Sequence, residues 1–456
     1  MSKNINAVLN LIKKKDYNQA INVLNESVKL NNSDFKTYYL LAISYNGINN
    51  INESINNLEK CINLNPKFVQ GLESLVELNL IKGKIKRAEE ICFKILDIDK
   101  YNLITIFHLT NINSKFLNEV KVNEIHSLVN DKHISEEKKA LGYYILAKFE
   151  RKNKNYKIEI DHLDKSHKNF FNSKLNSNNQ SLFYYSKIIP KFYKNILYVN
   201  NHIENIEKIT PIFIIGLPRS GSTLIESILQ SNKEKIQSIG ESSLINFSVV
   251  NQIRNLIFDK NFNINKFKLK LDLQFILKNI NSKLEETKIL DERKNIYFID
   301  KSLENFFYID LILKIFPRAK IINMNRDPKH SVIAIYQQLL TLSSWSHSIS
   351  DILEYVDNYL NIIKYYKNKY SDKIYDLSLL DLSTDPEDAT KSVFNFCGIE
   401  WNKSCLEYYK RKDLISKTAS NVQIRKKIFK YDGKKFNNYD FVFDKFENKY
   451  SWLQKK

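Results

Sequence analysis

Apolar residues recur at three-to-four spacing through the first hundred positions, as in AINVLNESVKL, SINNLEKCINL and AEEICFKILDI, and this predicts amphipathic helices. The helices repeat. Ala20, Ser54 and Ala88 stand 34 residues apart, as do Leu24, Leu58 and Cys92, and again Leu30, Leu64 and Ile98, so equivalent helix positions carry small or apolar side chains. TYYLLAISYNG and GLESLVELNLIKG read as the first helices of pairs, and Pro66 ends the middle repeat. Residues 104 to 205 continue as helical material that drifts from the repeat, with the polar run FNSKLNSNNQS as a flexible connection. After residue 209 the pattern changes. PIFIIGL is a nearly uninterrupted apolar run, suited to a parallel strand covered on both faces, and STLIESILQS follows at once as a helix. NIYFIDK, AKIINMNRDP before SVIAIYQQLL, and KIYDLSLLDL before ATKSVFNFCGI repeat the alternation, which predicts an α/β architecture.

The 34-residue period, with its small residue where two helices pack closely, resembles the tetratricopeptide repeat. Three repeats cover residues 4 to 103, and each buries its apolar stripe only against its neighbours. The expected domains are therefore repeats over 1–103, further helical and linker material over 104–205, and the α/β domain over 206–456. The repeats read equally as a scaffold or homodimer surface and as a concave groove for an extended peptide.

Composition narrows the setting. The chain has 456 residues, 43% hydrophobic and 27% charged, in keeping with a folded protein of more than one domain. Its net charge of +19 comes from 70 Lys and Arg against 51 Asp and Glu, scattered along the chain and not gathered in one stripe, so on charge alone a solvated basic surface is preferred over a nucleic-acid partner or a polyanionic small molecule. Cys61, Cys92, Cys397 and Cys405 form no CxxC pair, which fits a reducing compartment. With no apolar run of signal or membrane-spanning length, the expectation is a cytoplasmic protein.

Between the first strand and its helix stands Gly216-Leu217-Pro218-Arg219-Ser220-Gly221-Ser222-Thr223. The GxxxxG spacing is that of a P-loop, whose glycines let backbone N–H groups turn around an anion while the helix N-terminus adds donors and dipole. A nucleoside triphosphatase has Lys where this chain has Ser222. The cation instead sits inside the loop at Arg219, whose planar guanidinium suits sulfate or phosphate oxygens.

PRSGSTLIE after a buried strand resembles the 5′-phosphosulfate loop of sulfotransferases, and the likeness continues through Gly240-Glu241-Ser242, Asp300-Lys301-Ser302 and residues 316–328, 385–401 and 418–429. It is nearest to tyrosylprotein sulfotransferases and bacterial tetratricopeptide-sulfotransferase fusions. The resemblance implies a P-loop-like parallel-sheet domain that uses 3′-phosphoadenosine 5′-phosphosulfate as co-substrate, with no metal, and an acceptor bearing a hydroxyl, protein tyrosine among them. It implies Glu241 as general base, Lys301 and Ser420 as stabilisers of the leaving and transferred oxygens, and Arg219, Ser220, Gly221, Ser222 and Thr223 as the loop holding the donor. Arg326 and Lys435 would grip its 3′-phosphate. The chain departs from the pattern at Ala334, where a serine is usual and Ser331 stands one turn earlier as a substitute. It departs again at Leu379 in place of a tyrosine near adenine, and at Phe436 in place of tryptophan.

The bland readings are a helix-capping Glu241, a solvated Lys301 and an Arg326–Asp327 ion pair. His202, His330 and His347 lack any HxH or HExxH spacing, so metal ligation is not expected, and Trp345 reads as loop packing or acceptor lining. Two rivals remain: a P-loop kinase or other nucleotide-binding enzyme, and a peptide-binding adaptor whose transferase domain has decayed.

Overall fold

Asp16, Asp34 and Asn50 each accept a hydrogen bond from the backbone N–H three residues on, at Gln19, Thr37 and Glu53, which supplies a partner to a donor otherwise orphaned at a helix start. The computed structural model describes residues 2–30, 34–113, 115–200, 209–232, 236–257, 268–286, 297–411 and 423–454. Two compact units result, one built on residues 1–131 and the other on 132–411 and 424–456.

In the first unit, α1 (Ser2–Lys13) and α2 (Tyr17–Lys29), α3 (Phe35–Gly47) and α4 (Ile51–Leu64), and α5 (Val69–Ile81) and α6 (Ile85–Ile98) form the three expected pairs. Helices α7 (Leu103–Ile112) and α8 (Glu119–Asn130) extend them. Ala20, Ser54 and Ala88 are buried at helix contacts, and Ser54 Oγ donates to the Ala42 carbonyl at 2.7 Å, so a serine serves the small position only with its hydroxyl satisfied. Gly47 fits for the same reason: a Cβ there would lie 2.6 Å from the Tyr17 ring. The third set behaves otherwise. Leu30, Leu64 and Ile98 are 78%, 58% and 40% exposed, because they sit at the ends of the second helices, where the chain leaves the apolar stripe.

The second unit opens with α9 (Glu136–Lys152), α10 (Tyr156–Ser173) and α11 (Leu175–Phe183). The polar run FNSKLNSNNQS is helical and not a flexible connection: it spans the end of α10 and the start of α11. Asn178 donates to the Phe171 carbonyl at 2.9 Å across the break, and Ser344 donates to Ser181 at 2.8 Å, tying α11 to the loop beyond.

Strands β1 (Ile196–Val199) and β4 (Leu269–Asp272) form a small parallel pair. The main sheet holds β2 (Thr210–Gly216), β3 (Gln237–Ser238), β5 (Tyr297–Asp300), β6 (Lys320–Asn325) and β7 (Ile374–Ser378), in the order β3-β5-β2-β6-β7 with every pair parallel. All seven residues of β2 are buried. Phe213, Phe298 and Phe316 pack edge to face and tilted beside it, each burial contributing about 1.5–3 kcal/mol. In a parallel sheet of this kind, ligands bind beyond the carboxyl ends of the strands, and the motifs stand there.

Candidate active site at the strand ends

The loop after β2 is shaped by three left-handed residues: Gly216 (φ 139°), Arg219 (φ 68°) and Gly221 (φ 94°). Gly216 has no alternative, since a Cβ would sit 2.4 Å from the Met324 carbonyl of β6. Gly221 caps the helix Ser222–Leu229, and a Cβ there would meet Leu379 Cδ1 at 2.8 Å. Alternation of backbone hand at a helix N-terminus is the geometry of an anion nest. Ser220 Oγ is buried and makes no hydrogen bond, an orphan polar atom in the middle of that turn. Burial works against the charge of Arg219, with like-charge repulsion from Arg326 and Arg151 added.

β3 and β5 deliver the carboxylate and the lysine. Ile239 N–H donates to the Ile299 carbonyl and Lys301 N–H to the Gly240 carbonyl, both at 2.9 Å, so the two strand ends run side by side into Glu241 and Lys301. Lys301 Nζ donates to Glu241 Oε1 at 2.5 Å and lies 3.7 Å from Glu226 Oε2. The Lys301 side chain is 0% exposed while that of Glu241 is 55% exposed, so the pair joins a buried cation to a solvent-facing carboxylate. Lys301 is therefore not a solvated surface lysine. Glu226, on the helix Ser222–Leu229, also accepts from Ser238 Oγ at 2.6 Å, which links that helix to β3 through one carboxylate. Burial pushes Glu226 upward in pKa, opposed by Lys301.

Two further acids, one buried and one half-buried, support this corner. Asp300 accepts from Ser302 N–H at 2.8 Å, Asn305 at 3.2 Å and Ser242 Oγ at 3.3 Å, and burial lifts its pKa to about 6. Glu304 accepts from Ser243 Oγ at 2.6 Å and is also raised by burial. These contacts fix the GES and DKS turns to each other.

At the end of β6, Arg326 donates from Nη1 to the Arg219 carbonyl at 3.0 Å and from Nε to Tyr431 OH at 2.9 Å. Its guanidinium carbon lies 4.9 Å from the Tyr431 ring centroid and 4.5 Å from that of Phe436, so phenylalanine keeps a cation–π contact at this position. Asp327 instead caps the next helix by accepting from His330 N–H at 3.0 Å. Ser331 is fully buried and donates to the Asp327 carbonyl at 3.0 Å. Lys435 is exposed beside Phe436, and its pKa is lowered first by partial desolvation and then by Arg326, Arg151 and Arg219, against the pull of Asp432. Leu379 starts a helix just after β7, against Gly221. Trp345 is buried and stacked on Tyr355 at 3.6 Å, which is packing. Ser420 and His202 lie outside the described residues. Among the described residues, no three acidic, His or Cys side chains gather as a metal site, and no helix is long and apolar enough to cross a membrane.

Residues 211–403 match the sulfotransferase family, and residues 35–68 match a tetratricopeptide repeat. The chain joins a tetratricopeptide repeat to a sulfotransferase domain. An uncharacterized protein of Aquifex aeolicus (strain VF5) is 25% identical over 432 residues, covering 90% of this chain and 54% of that protein, so the chain spans about half the length of the curated relative it matches. Among solved structures, the sulfotransferase domain of the Synechococcus PCC 7002 olefin synthase is 17% identical, with a TM-score of 0.35, over 51% of this chain and 87% of that one. A sulfotransferase of Mycobacterium tuberculosis H37Rv is 14% identical, with a TM-score of 0.31, over 64% and 92%.

Within the sulfotransferase domain the structure brings Arg219, Ser220, Ser222, Thr223, Glu241, Lys301 and Arg326 beyond the carboxyl ends of β2, β3, β5 and β6. Sequence reasoning missed Glu226 and Tyr431. A charged residue among the apolar positions of STLIESILQS was the available signal for Glu226; Tyr431 carried none.

Proposed function

We propose that this protein transfers a sulfuryl group from 3′-phosphoadenosine 5′-phosphosulfate to an acceptor hydroxyl. The carrying observation is the 2.5 Å pair of buried Lys301 with solvent-facing Glu241, one helical turn from the phosphate loop through Glu226. The donor's anionic groups fit the residues present: a left-handed turn with an orphan Ser220 hydroxyl and Arg219 inside it, and Arg326 bonded to the turn itself.

In this reading Glu241 accepts the proton of the acceptor hydroxyl as its oxygen bonds to sulfur. The bond from sulfur to the bridging phosphate oxygen breaks, and the charge left on that oxygen is met by the Lys301 ammonium. Because Lys301 starts paired with Glu241, donor binding turns it from carboxylate to phosphate and leaves Glu241 open to the hydroxyl. Ser222 and the loop amides hold the sulfuryl and 5′-phosphate oxygens, Arg326 and Lys435 the 3′-phosphate, and Ser420 the transferred group. A loose in-line transition state asks for this positioning and charge neutralisation, by analogy with phosphoryl transfer.

The acceptor favoured by the repeats is a hydroxyl on a peptide or protein, tyrosine included. A reducing, cytoplasmic setting belongs to the same reading, since Cys61, Cys92, Cys397 and Cys405 are all buried and unbridged. Incubating the protein with ³⁵S-labelled donor and lysate of the source cell tests the proposal. Label transferred to macromolecule by the wild type and not by Glu241→Gln is expected; equal transfer by both proteins, or by neither, would overturn it.

A further inference from the structure

Helices α9 and α10 lie outside the segment matching the sulfotransferase family, yet they belong to the same compact unit as the sheet. Glu159 of α10 is 0% exposed, and a carboxylate taken that far from water needs partners. It has three: Arg151 Nε donates to Oε1 at 2.6 Å, Gln337 Nε2 to Oε1 at 3.0 Å, and Tyr439 OH to Oε2 at 2.6 Å. Tyr144 of α9 adds a hydrogen bond to the Gln337 carbonyl at 3.1 Å. The hub thus joins the end of α9 to two segments of the donor site. Gln337 caps the helix that begins at Pro328, two residues past Arg326, and Tyr439 stands one turn after Lys435 in the segment Lys434–Val442.

Arg151 is placed for more than bracing. Its Nε is committed to Glu159, but its Nη2 is buried and makes no hydrogen bond, an orphan donor on a charged group. Its charge is felt at both Arg219 and Lys435, where it adds to the repulsion from Arg326. Lys148, three residues earlier and so on the same helix face, has its pKa lowered to about 8 by burial and by Arg151. Arg151 and Arg326 therefore act on Arg219, and all three on Lys435, in a partly desolvated corner where Glu159 is bound to Arg151 while Asp327 draws on Arg326 and Asp432 on Lys435. A polyanion relieves that repulsion and gives Nη2 a partner.

We propose that Arg151 is a further donor-binding residue, its free guanidinium edge meeting the 3′-phosphate beside Arg326 and Lys435 while buried Glu159 holds it in place. The inference rests on the proposed function, since it assumes a nucleotide with a 3′-phosphate. The fold thereby recruits an element of the helical segment into nucleotide recognition, and selectivity for a 3′-phosphorylated nucleotide depends on a residue far from the loop motif in sequence.

The test is calorimetry on the full chain with two probes, 3′,5′-adenosine bisphosphate and adenosine 5′-monophosphate. Loss of one charge-assisted hydrogen bond predicts that Arg151→Gln weakens the bisphosphate about tenfold or more while the monophosphate stays within about twofold. Arg151→Lys, which keeps the charge, is expected to fall between. Since Arg151→Gln alone strands the buried Glu159, the double variant Arg151→Gln/Glu159→Gln is measured as well and should show the same selective loss. A purely bracing role would weaken both nucleotides alike. Equal loss for both, or unchanged bisphosphate binding in the double variant, would overturn the assignment of Arg151. If Arg326→Gln loses bisphosphate affinity while the Arg151 variants do not, only this inference falls; if the wild type itself does not prefer the bisphosphate, the donor reading falls with it.

Discussion

Replacing Lys301 by methionine removes the one ammonium set between Glu241 and Glu226, and the structure says where the cost lands. Glu241 is more than half exposed and returns to water. Glu226 is buried, already raised in pKa by burial and drawn back by Lys301. Removing one partner of a buried pair costs about 3–5 kcal/mol, an upper limit here because Glu226 relieves the penalty by taking up a proton, at about 1.4 kcal/mol per pH unit. The sign follows from linkage. A carboxyl whose folded pKa lies above its unfolded value contributes stability that is fully present below the unfolded value and lost as pH rises through the folded one. The gap between wild type and Lys301→Met should therefore widen from pH 5 to pH 8. With about 2 °C per kcal/mol for a unit of this size, thermal unfolding followed by circular dichroism should show a difference of at most about 6–10 °C at pH 8 and a smaller one at pH 5. Adding Glu226→Gln should close most of that gap without restoring transfer. A pH-independent gap, or recovered turnover in the double variant, would refute the reasoning.

Glu241→Gln should lower kcat by about 10²–10⁴ and leave calorimetric affinity for adenosine bisphosphate within about twofold, since in the proposed mechanism the lost group acts on the acceptor proton. Gly216→Ala places a Cβ 2.4 Å from the Met324 carbonyl at φ 139°, so the melting temperature and nucleotide affinity should both fall, with strain of at least about 1–3 kcal/mol. His167 and His347 share a 2.9 Å contact, and burial drives their pKa down to about 3 and about 4; a depressed imidazole contributes stability above its unfolded pKa that is lost as pH falls. The melting temperature should decline from about pH 6.5 toward pH 4, and the double glutamine variant should flatten that slope in a pH series. Ala20→Leu overfills a fully buried helix contact and should cost about 1–3 kcal/mol in chemical denaturation.

The parts of the fold written in local pattern were legible. β2 is a nearly uninterrupted apolar run, β5, β6 and β7 are short segments mixing apolar and polar residues ahead of a turn or helix, and the paired helices carry a fixed period, so both could be read without tertiary knowledge. The short pair β1 and β4 was not, because ILYV and LKLD are four residues each and acquire strand geometry only by pairing across seventy positions. The polar run FNSKLNSNNQS misled because asparagine and serine favour turns locally, while here Asn178 spends its amide on the carbonyl left open at a helix break. The exposed Leu30, Leu64 and Ile98 show the converse limit: periodicity marks equivalent positions and does not say which face the core.

At the site, Arg219, Glu241, Lys301 and Arg326 were visible because family resemblance attaches to short contiguous motifs. Tyr431 and the Glu159 hub were invisible because each derives its role from a partner remote in sequence, while Glu226 left only the signal of a charge among apolar positions. Tyr431 reaches Arg326, and Tyr439 reaches Glu159, by folding alone.

In the proposed function the left-handed turn at 216–221, with a guanidinium inside it, seats a nucleotide bearing phosphates at both ends of its ribose. Calorimetric titration of the wild-type chain with 3′,5′-adenosine bisphosphate and, separately, with ATP tests this most directly. The bisphosphate is expected to bind more tightly, without added magnesium; tighter binding of ATP would overturn the proposed donor.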